Sequence, residues 1–485
     1  MMRSVRQLRL VRLVLLTALL TACGGQPQPS PATEAPAAPP VIAQPTSAPQ
    51  PTAIPQPTVV PSPVPEPTTP PATSLPEPAP VPSPAPEPTI AQSPTIAPSP
   101  PPATAPATSF NGTLLFLRNG ALWALDSSGE RVLADSVLDF VPDADGTQIA
   151  LVREVERGYD IWVVRRDGSA LRQITSDGSE LIEATPAWSP DGATLMFAAA
   201  AASDPMPNVW PDWALWCAAS QVYVLDLASG QRQALARGCD PAVSPDGRRI
   251  AYSAPPTARD ANIAAGAPTM VNTIRLINRR GENGWNFARA DGPDAPAPDT
   301  GLLVYGPAWS PDGASVVYHR YVGMQIEVDI NLSEIGGSFE GNGRPLAEGA
   351  GWLLPARFAP AGRRVAIVEH NYGDARGFGG YDSWSVQVIT LDGTRIVDLP
   401  QGALAMVGGM AHRLPRAAAA AWSPDGAALA VLLPAGWRAD LPQDAPVDPS
   451  GAERPGEVWL WQPGAVPATR LISGVDFASP LYWLP

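Results

Sequence analysis

The tetrapeptide Ser-Pro-Asp-Gly occurs four times, at 189–192, 244–247, 310–313 and 423–426, and no other feature constrains the fold as tightly. Proline fixes φ at the first central position of a turn. Asp191, Asp246, Asp312 and Asp425 suit the second, and Gly192, Gly247, Gly313 and Gly426 accept the left-handed conformation that closes a hairpin. Each copy follows a short apolar lead-in: Pro186-Ala187-Trp188, Pro241-Ala242-Val243, Pro307-Ala308-Trp309 and Ala420-Ala421-Trp422. Each precedes a strand-like run such as Arg249-Ile250-Ala251-Tyr252. Degenerate copies at 142–146 and 359–362 fill the gaps. These are turn residues rather than catalytic ones.

After each hairpin a third strand is expected, at 160–164, 221–225, 273–277, 386–391 and 457–461, and then a shorter fourth such as 171–175. The first three tetrapeptides are 55 and 66 residues apart, a period that fits four-stranded propeller blades with variable loops. Pro-Ala-Trp-Ser-Pro-Asp-Gly, followed by Ile161-Trp162-Val163-Val164-Arg165-Arg166-Asp167-Gly168 and Arg172-Gln173-Ile174-Thr175, resembles the TolB-type propeller repeat. The resemblance covers nearly all of 110–485. It implies an all-β propeller domain over 109–485 and says little about function. The repeat is shared by periplasmic TolB proteins and by propeller domains of prolyl oligopeptidase-like enzymes.

Six hairpins begin six blades, while 113–117, 121–126 and 132–134 supply three strands with no lead-in before them. The segment 479–485 resembles a lead-in and is read as the missing inner strand. Seven blades closed by a terminal strand follow, with six or eight as alternatives.

The N-terminus has a positive region (Arg3, Arg6, Arg9, Arg12), a short apolar stretch and Leu20-Thr21-Ala22-Cys23. Leu-Thr-Ala-Cys before Gly24 and Gly25 resembles the lipobox of bacterial lipoproteins. The resemblance implies a signal peptide over 1–22, cleavage before Cys23 and a lipid on its sulfur, placing the protein in the cell envelope on the extracytoplasmic side of a membrane. From 26 to 108 the chain carries 30 of its 61 prolines and no aromatic, lysine or arginine, so 23–108 reads as a disordered tether. It could reach about 250 Å at roughly 3.1 Å per residue. With Cys23 lipidated, Cys217 and Cys239 remain and are expected to form a disulfide, two buried free thiols being the alternative.

Long insertions are expected to crowd one face: 199–216, 255–271, 369–383 and 434–456 between second and third strands, and 282–301 and 402–416 between blades. Trp210, Trp213 and Trp216 lie in one, Tyr372, Phe378 and Tyr381 in another and Trp437 in a third. They are read as stacking or anchoring residues, or alternatively as a satellite core capping the blades.

No catalytic, metal or cofactor site is assigned. His319, His370 and His412 lack zinc-like spacing, and there is no Gly-x-Ser-x-Gly elbow. Asp143-x-Asp145-Gly146 lacks the twelfth-position glutamate of a calcium loop and reads as a turn. The net charge of −14, without one lysine, argues against nucleic acid. The expectation is a monomeric, lipid-anchored module that binds a protein or polysaccharide of the envelope through its loop-rich face. The alternatives are a hydrolase or lyase acting on glycans and a structural envelope spacer.

Overall fold

The computed structural model describes residues 111–485, apart from 157, 177–180, 202–209, 256–270, 272, 290–301, 323–326, 336–342, 372–382, 392–411 and 440–454. Among the described residues are 29 β-strands and one helix. Strands β1 (Thr113–Arg118), β2 (Ala121–Asp126) and β3 (Gly129–Ala134) pair in order, and β29 (Tyr482–Leu484) pairs with the other edge of β1. The next sheet has eight strands in two halves. One half is β4 (Asp139–Pro142), β5 (Gln148–Val155), β6 (Gly158–Arg165) and the short β7 (Arg172–Gln173). The other is β8 (Leu181–Trp188), β9 (Thr194–Ala201), β10 (Gln221–Asp226) and β11 (Arg232–Arg237), joined to the first through the parallel pair Tyr159 and Ile182.

Then come β12 (Cys239–Val243), β13 (Arg249–Ala254), β14 (Thr273–Asn278) and β15 (Trp285–Arg289), followed by β16 (Leu302–Trp309), β17 (Ser315–Val322), β18 (Glu327–Glu334) and β19 (Arg344–Ala350). In the next sheet β20 (Trp352–Leu353) and β21 (Arg357–Phe358) share one edge of β22 (Arg364–Asn371), and β23 (Ser383–Thr390) and β24 (His412–Pro415) complete it. The last is β25 (Ala419–Trp422), β26 (Leu429–Pro434), β27 (Pro455–Trp461) and β28 (Thr469–Asp476). This is an all-β succession of antiparallel meanders, the pattern of a β-propeller.

First strands pack on first strands: β4 on β8, β8 on β12, β12 on β16, β16 on β21, β21 on β25 and β25 on β29. The ring of Tyr482 on β29 lies 5.4 Å from that of Phe140 on β4. Because sheets stack face to face, many strands are buried on both sides and read as continuous apolar runs rather than alternating ones. On β1, Leu114 and Phe116 pack with Ala430 and Leu432, while Leu115 and Leu117 pack with Ile149 and Leu151.

The tetrapeptides form the turns between first and second strands. In each, the glycine N–H donates to the serine carbonyl, and the serine Oγ lies 2.5–2.6 Å from the aspartate carboxylate that also accepts a backbone N–H two residues on. These bonds hold the carboxyls of Asp191, Asp246, Asp312 and Asp425 below the usual carboxylate range. The glycine is needed twice. Gly426 has φ +69°, and a β-carbon there would stand 3.3 Å from Cδ of Pro360, the proline of the preceding turn.

The lead-in tryptophans clamp one sheet to the previous one. Nε1 of Trp188, Trp309 and Trp422 donates to the carbonyls of Val141, Ala242 and Arg357 at 3.0, 2.9 and 2.9 Å.

Two expected connectors are placed differently. The chain over 402–416 does not simply join two sheets, because 412–415 is β24, the fourth strand paired to β23. Likewise 282–301 contains β15, with the connector confined to 290–301. Both segments read as connectors because their strands are short and follow long glycine-rich or polar stretches. In a meander, the chain between third and fourth strands lies at the end that carries the tetrapeptides.

Candidate functional site

Between β9 and β10 the chain forms α1 (Trp210–Ala219). Pro211 suits a first helical turn, and Ala214, Leu215, Ala218 and Ala219 are strong helix formers. The helix ends where the Ser220 N–H and hydroxyl both return to the Trp216 carbonyl. Cys217 is disulfide-bonded to Cys239 at the start of β12, with the two α-carbons 5.0 Å apart. Trp213, Trp216 and Cys217 are buried, and Leu215 is 62 % exposed.

Below the helix the first strands of three successive meanders carry the same irregularity. Register slips by one residue between Ala184 and Ala187, between Cys239 and Ala242 and between Tyr305 and Ala308. The residues at the bulges, Thr185, Asp240 and Gly306, all precede proline, and their φ angles are +52°, +50° and +63°. Positive φ is ordinary for glycine and strained for threonine, and proline further disfavours it in the residue before. Bulges of this kind re-aim a side chain.

Asp240 accepts a hydrogen bond from Trp213 Nε1 at 3.1 Å. Burial pushes its carboxyl up to about 7, with that bond pulling the other way. The Trp213 ring lies 5.4 Å from Tyr305 and 5.1 Å from Trp352, which stack on each other at 4.1 Å. His319, 5.4 Å from Tyr305, is fully buried and held down to about 4 by desolvation. It is therefore neutral at physiological pH. Its Nε2, 3.0 Å from the Leu354 carbonyl, carries the proton, and Nδ1 has no partner. The Thr185 hydroxyl is likewise buried without a partner.

A second cluster joins three first strands. The Arg357 guanidinium lies 4.0 Å over the Tyr482 ring, and its charge also reaches Asp139. Burial raises Asp139 to about 6, against a backbone hydrogen bond from Phe140 and the Arg357 charge. Burial also raises Tyr482, so its hydroxyl stays protonated.

Other buried carboxylates are structural. Glu369 receives Ser385 Oγ at 2.7 Å, Gln387 Nε2 at 2.9 Å and the Arg413 guanidinium. Glu183 pairs with Arg232 at 2.8 Å. Asp143 and Asp145 bind Thr147 and Gln148 within their own turn. Among the described residues no group of three or more His, Cys, Asp or Glu side chains could hold a metal ion.

The aromatic residues singled out in the sequence divide. Trp213 and Trp216 are 6 % and 8 % exposed, so they are a satellite core under the helix and offer no open ring to a ligand. Trp437 is half-buried, 5.5 Å from Trp459. Trp210 begins α1, and its side chain, like Tyr372, Phe378 and Tyr381, lies outside the described residues. Asp240 was not singled out, although its place before the repeat proline is a visible signal.

No protein-family model matches the chain. A search of curated proteins finds no match either. Solved structures do show similarity. TolB from Acinetobacter baumannii aligns at 17 % identity and TM-score 0.38, over 59 % of this chain and 62 % of its own. An oligogalacturonate lyase in complex with manganese aligns at 15 % identity and TM-score 0.43, over 64 % and 79 %. The Cps50 (Swd1) beta-propeller domain of Myceliophteria thermophila aligns at 10 % and 0.42, over 70 % and 86 %.

Proposed function

We propose that the chain is a seven-bladed propeller, closed by β29 on β1, that is held on the outside of a bacterial membrane by lipid on Cys23. It binds a protein or polysaccharide partner through the end that carries α1. The contact of first strand on first strand from β4 round to β29 supports the closed ring. The proline-rich segment from 26 to 108 serves as the stalk in this reading.

The observation that carries the binding role is the disulfide-tied helix. A loop insertion is fixed covalently to a neighbouring first strand while Leu215 is left 62 % exposed at its surface. An ordered apolar contact placed on a rigid support is the arrangement recognition surfaces use. The test is a pull-down of envelope proteins and a glycan array with the full mature chain, repeated with Leu215→Arg and Trp210→Ala. Capture lost in both variants, with melting temperature retained, is expected. Capture unchanged by either variant would remove the loop-bearing end from the reading. Labelling by palmitate that disappears in Cys23→Ser tests the anchor.

The enzyme alternative draws on Asp240, whose carboxyl is poised near neutrality. Turnover in a panel of glycan substrates that vanishes in Asp240→Asn would favour it over the binding role.

A further inference from the structure

Between residues 232 and 289 the sequence holds nine arginines and four carboxylates, in a chain with 32 basic and 46 acidic residues. The excess of positive charge therefore collects on β11 and on the sheet of β12 to β15. Salt screens charges over about 8–10 Å, so a ligand on this surface meets the local excess more than the overall negative charge.

Two cavities lie here, flanking the turn between β14 and β15. One, of about 430 Å³, is lined by Arg248, Arg279, Arg280 and Asn278 together with Asp191 and Asp246. The other, of about 390 Å³, is lined by Arg237, Arg275 and Tyr252 among smaller residues. The two carboxylates of the first cavity accept bonds in their own turns through Oδ1, Asp191 from Ser189 and the Ala193 N–H and Asp246 from Ser244 and the Arg248 N–H, and stay ionised, so three guanidiniums face two carboxylates there. Arg279 Nη2 stands 3.7 Å from Asp191, longer than a hydrogen bond. Its Nε is buried with no partner, and so is Nε of Arg275 in the second cavity. A guanidinium cannot shed its proton, so an acceptor arriving at either cavity meets a permanent positive charge, presented by the outer nitrogens rather than by the buried Nε.

We propose that this seam binds an oligosaccharide bearing carboxylates, with one acidic sugar at each cavity. The guanidinium fork matches a carboxylate with two parallel hydrogen bonds. Both are shallow depressions open to solvent, which suits a ligand lying along the surface rather than one enclosed by it. A lipid surface is disfavoured, because among the described residues the exposed large apolar ones, Val132, Leu138, Leu171, Leu215, Leu354 and Val466, lie outside this segment. Single-stranded nucleic acid is disfavoured because Tyr252 is 2 % exposed and the Trp285 ring is faced by Arg249, leaving no free platform for bases. The second cavity touches the loop-bearing end, because Arg237 Nε donates to the Ala218 carbonyl of α1 at 2.6 Å. The first cavity does not share residues with it, so loss of uronate binding in Arg280→Gln separates this site from one centred on Leu215.

Calorimetry on the full mature chain tests it with hexameric oligomannuronate, a neutral mannose hexamer and inorganic phosphate as separate probes. Binding of the uronate alone is expected, weakening as salt rises. Arg275→Gln and Arg279→Gln should each weaken it about tenfold, the scale of one charge-assisted hydrogen bond. Arg280→Gln, at an exposed side chain, gives a variant whose folding is not in question and should also weaken binding. Arg153→Gln, whose partner is Asp135 elsewhere, should bind as the parent does. No uronate binding, equal binding of the neutral hexamer, equal binding of phosphate, or affinity unchanged in Arg280→Gln and Arg279→Gln would each overturn the proposal.

Discussion

Replacing Asp240 by asparagine should stabilise the protein at alkaline pH and leave it nearly unchanged in acid. An unfolded aspartate ionises near pH 4, whereas Asp240 in the fold ionises at about 7 because burial disfavours its charge. Between those values the folded state holds a proton that the unfolded chain has released, so this group makes stability fall as pH rises. Each pH unit in that window costs about 1.4 kcal/mol, giving a ceiling of about 4 kcal/mol by pH 8. Asp240 is only partly buried, and solvent screening brings the expectation down to about 1–3 kcal/mol. Asparagine tolerates the φ of +50° and still offers Trp213 Nε1 an acceptor oxygen, so the exchange isolates the charge. Asp139, raised to about 6, adds a slope of the same sign up to that pH. His319, lowered to about 4, opposes both, since the unfolded chain takes up a proton there between about 4 and 6.5. The difference between parent and Asp240→Asn cancels both backgrounds. Denaturant midpoints at pH 5 and pH 8 measure it. A variant less stable than the parent at pH 8, or a gain equal at both pH values, would refute the reasoning.

Replacing Cys217 and Cys239 together by serine should cost about 3 kcal/mol by the loop-closure estimate and lower the denaturant midpoint accordingly. Mass spectrometry of the parent without reductant should find neither thiol free. Deleting 477–485 removes Phe477, Leu481 and Leu484, each 7 % exposed or less, together with the strand paired to β1. At about 1.5–3 kcal/mol per buried apolar side chain the loss is comparable to the stability of a typical domain. The truncated chain should lose its cooperative melting transition, and a melting temperature near that of the parent would count against the role of β29.

The turns were legible in the sequence because their chemistry is local: the serine, aspartate and glycine of each tetrapeptide bond to one another and to backbone no more than two residues beyond it. The third strands at 160–164, 221–225, 273–277 and 457–461 were legible for a related reason, as the next strand-like apolar runs after each hairpin, and they overlap β6, β10, β14 and β27. What the sequence did not disclose depends on neighbours far along the chain. Trp422 reads as one more apolar residue until its indole N–H is seen bound to the Arg357 carbonyl, 65 residues away. Arg357, Tyr482 and Asp139 come together only because three different first strands converge. For Trp213 and Trp216 the sequence left two readings open, a ligand-facing surface or a satellite core, and their burial selects the second. A tryptophan in an insertion has no periodicity to say whether it faces solvent or, as here, Tyr305 and Trp352.

The repeat is most informative where it departs from itself. At the bulge before the lead-in proline, Gly306 is the unstrained solution, since glycine alone adopts positive φ without penalty. Thr185 and Asp240 occupy the same backbone position on the two preceding meanders, each at a cost of about 1–2 kcal/mol that glycine would avoid. Asp240 offsets part of that cost by accepting the Trp213 indole N–H, and Thr185 has no such bond. Thr185 leaves its hydroxyl unpaired, and Asp240 adds a carboxylate whose ionisation burial opposes. Thr185 therefore carries a cost that glycine would avoid, whereas a glycine at 240 would relieve the backbone and leave the buried Trp213 indole N–H without its acceptor. Asp240 follows the disulfide-bonded Cys239 and accepts the indole N–H of Trp213 on α1, so strained backbone and loop insertion meet at these two residues.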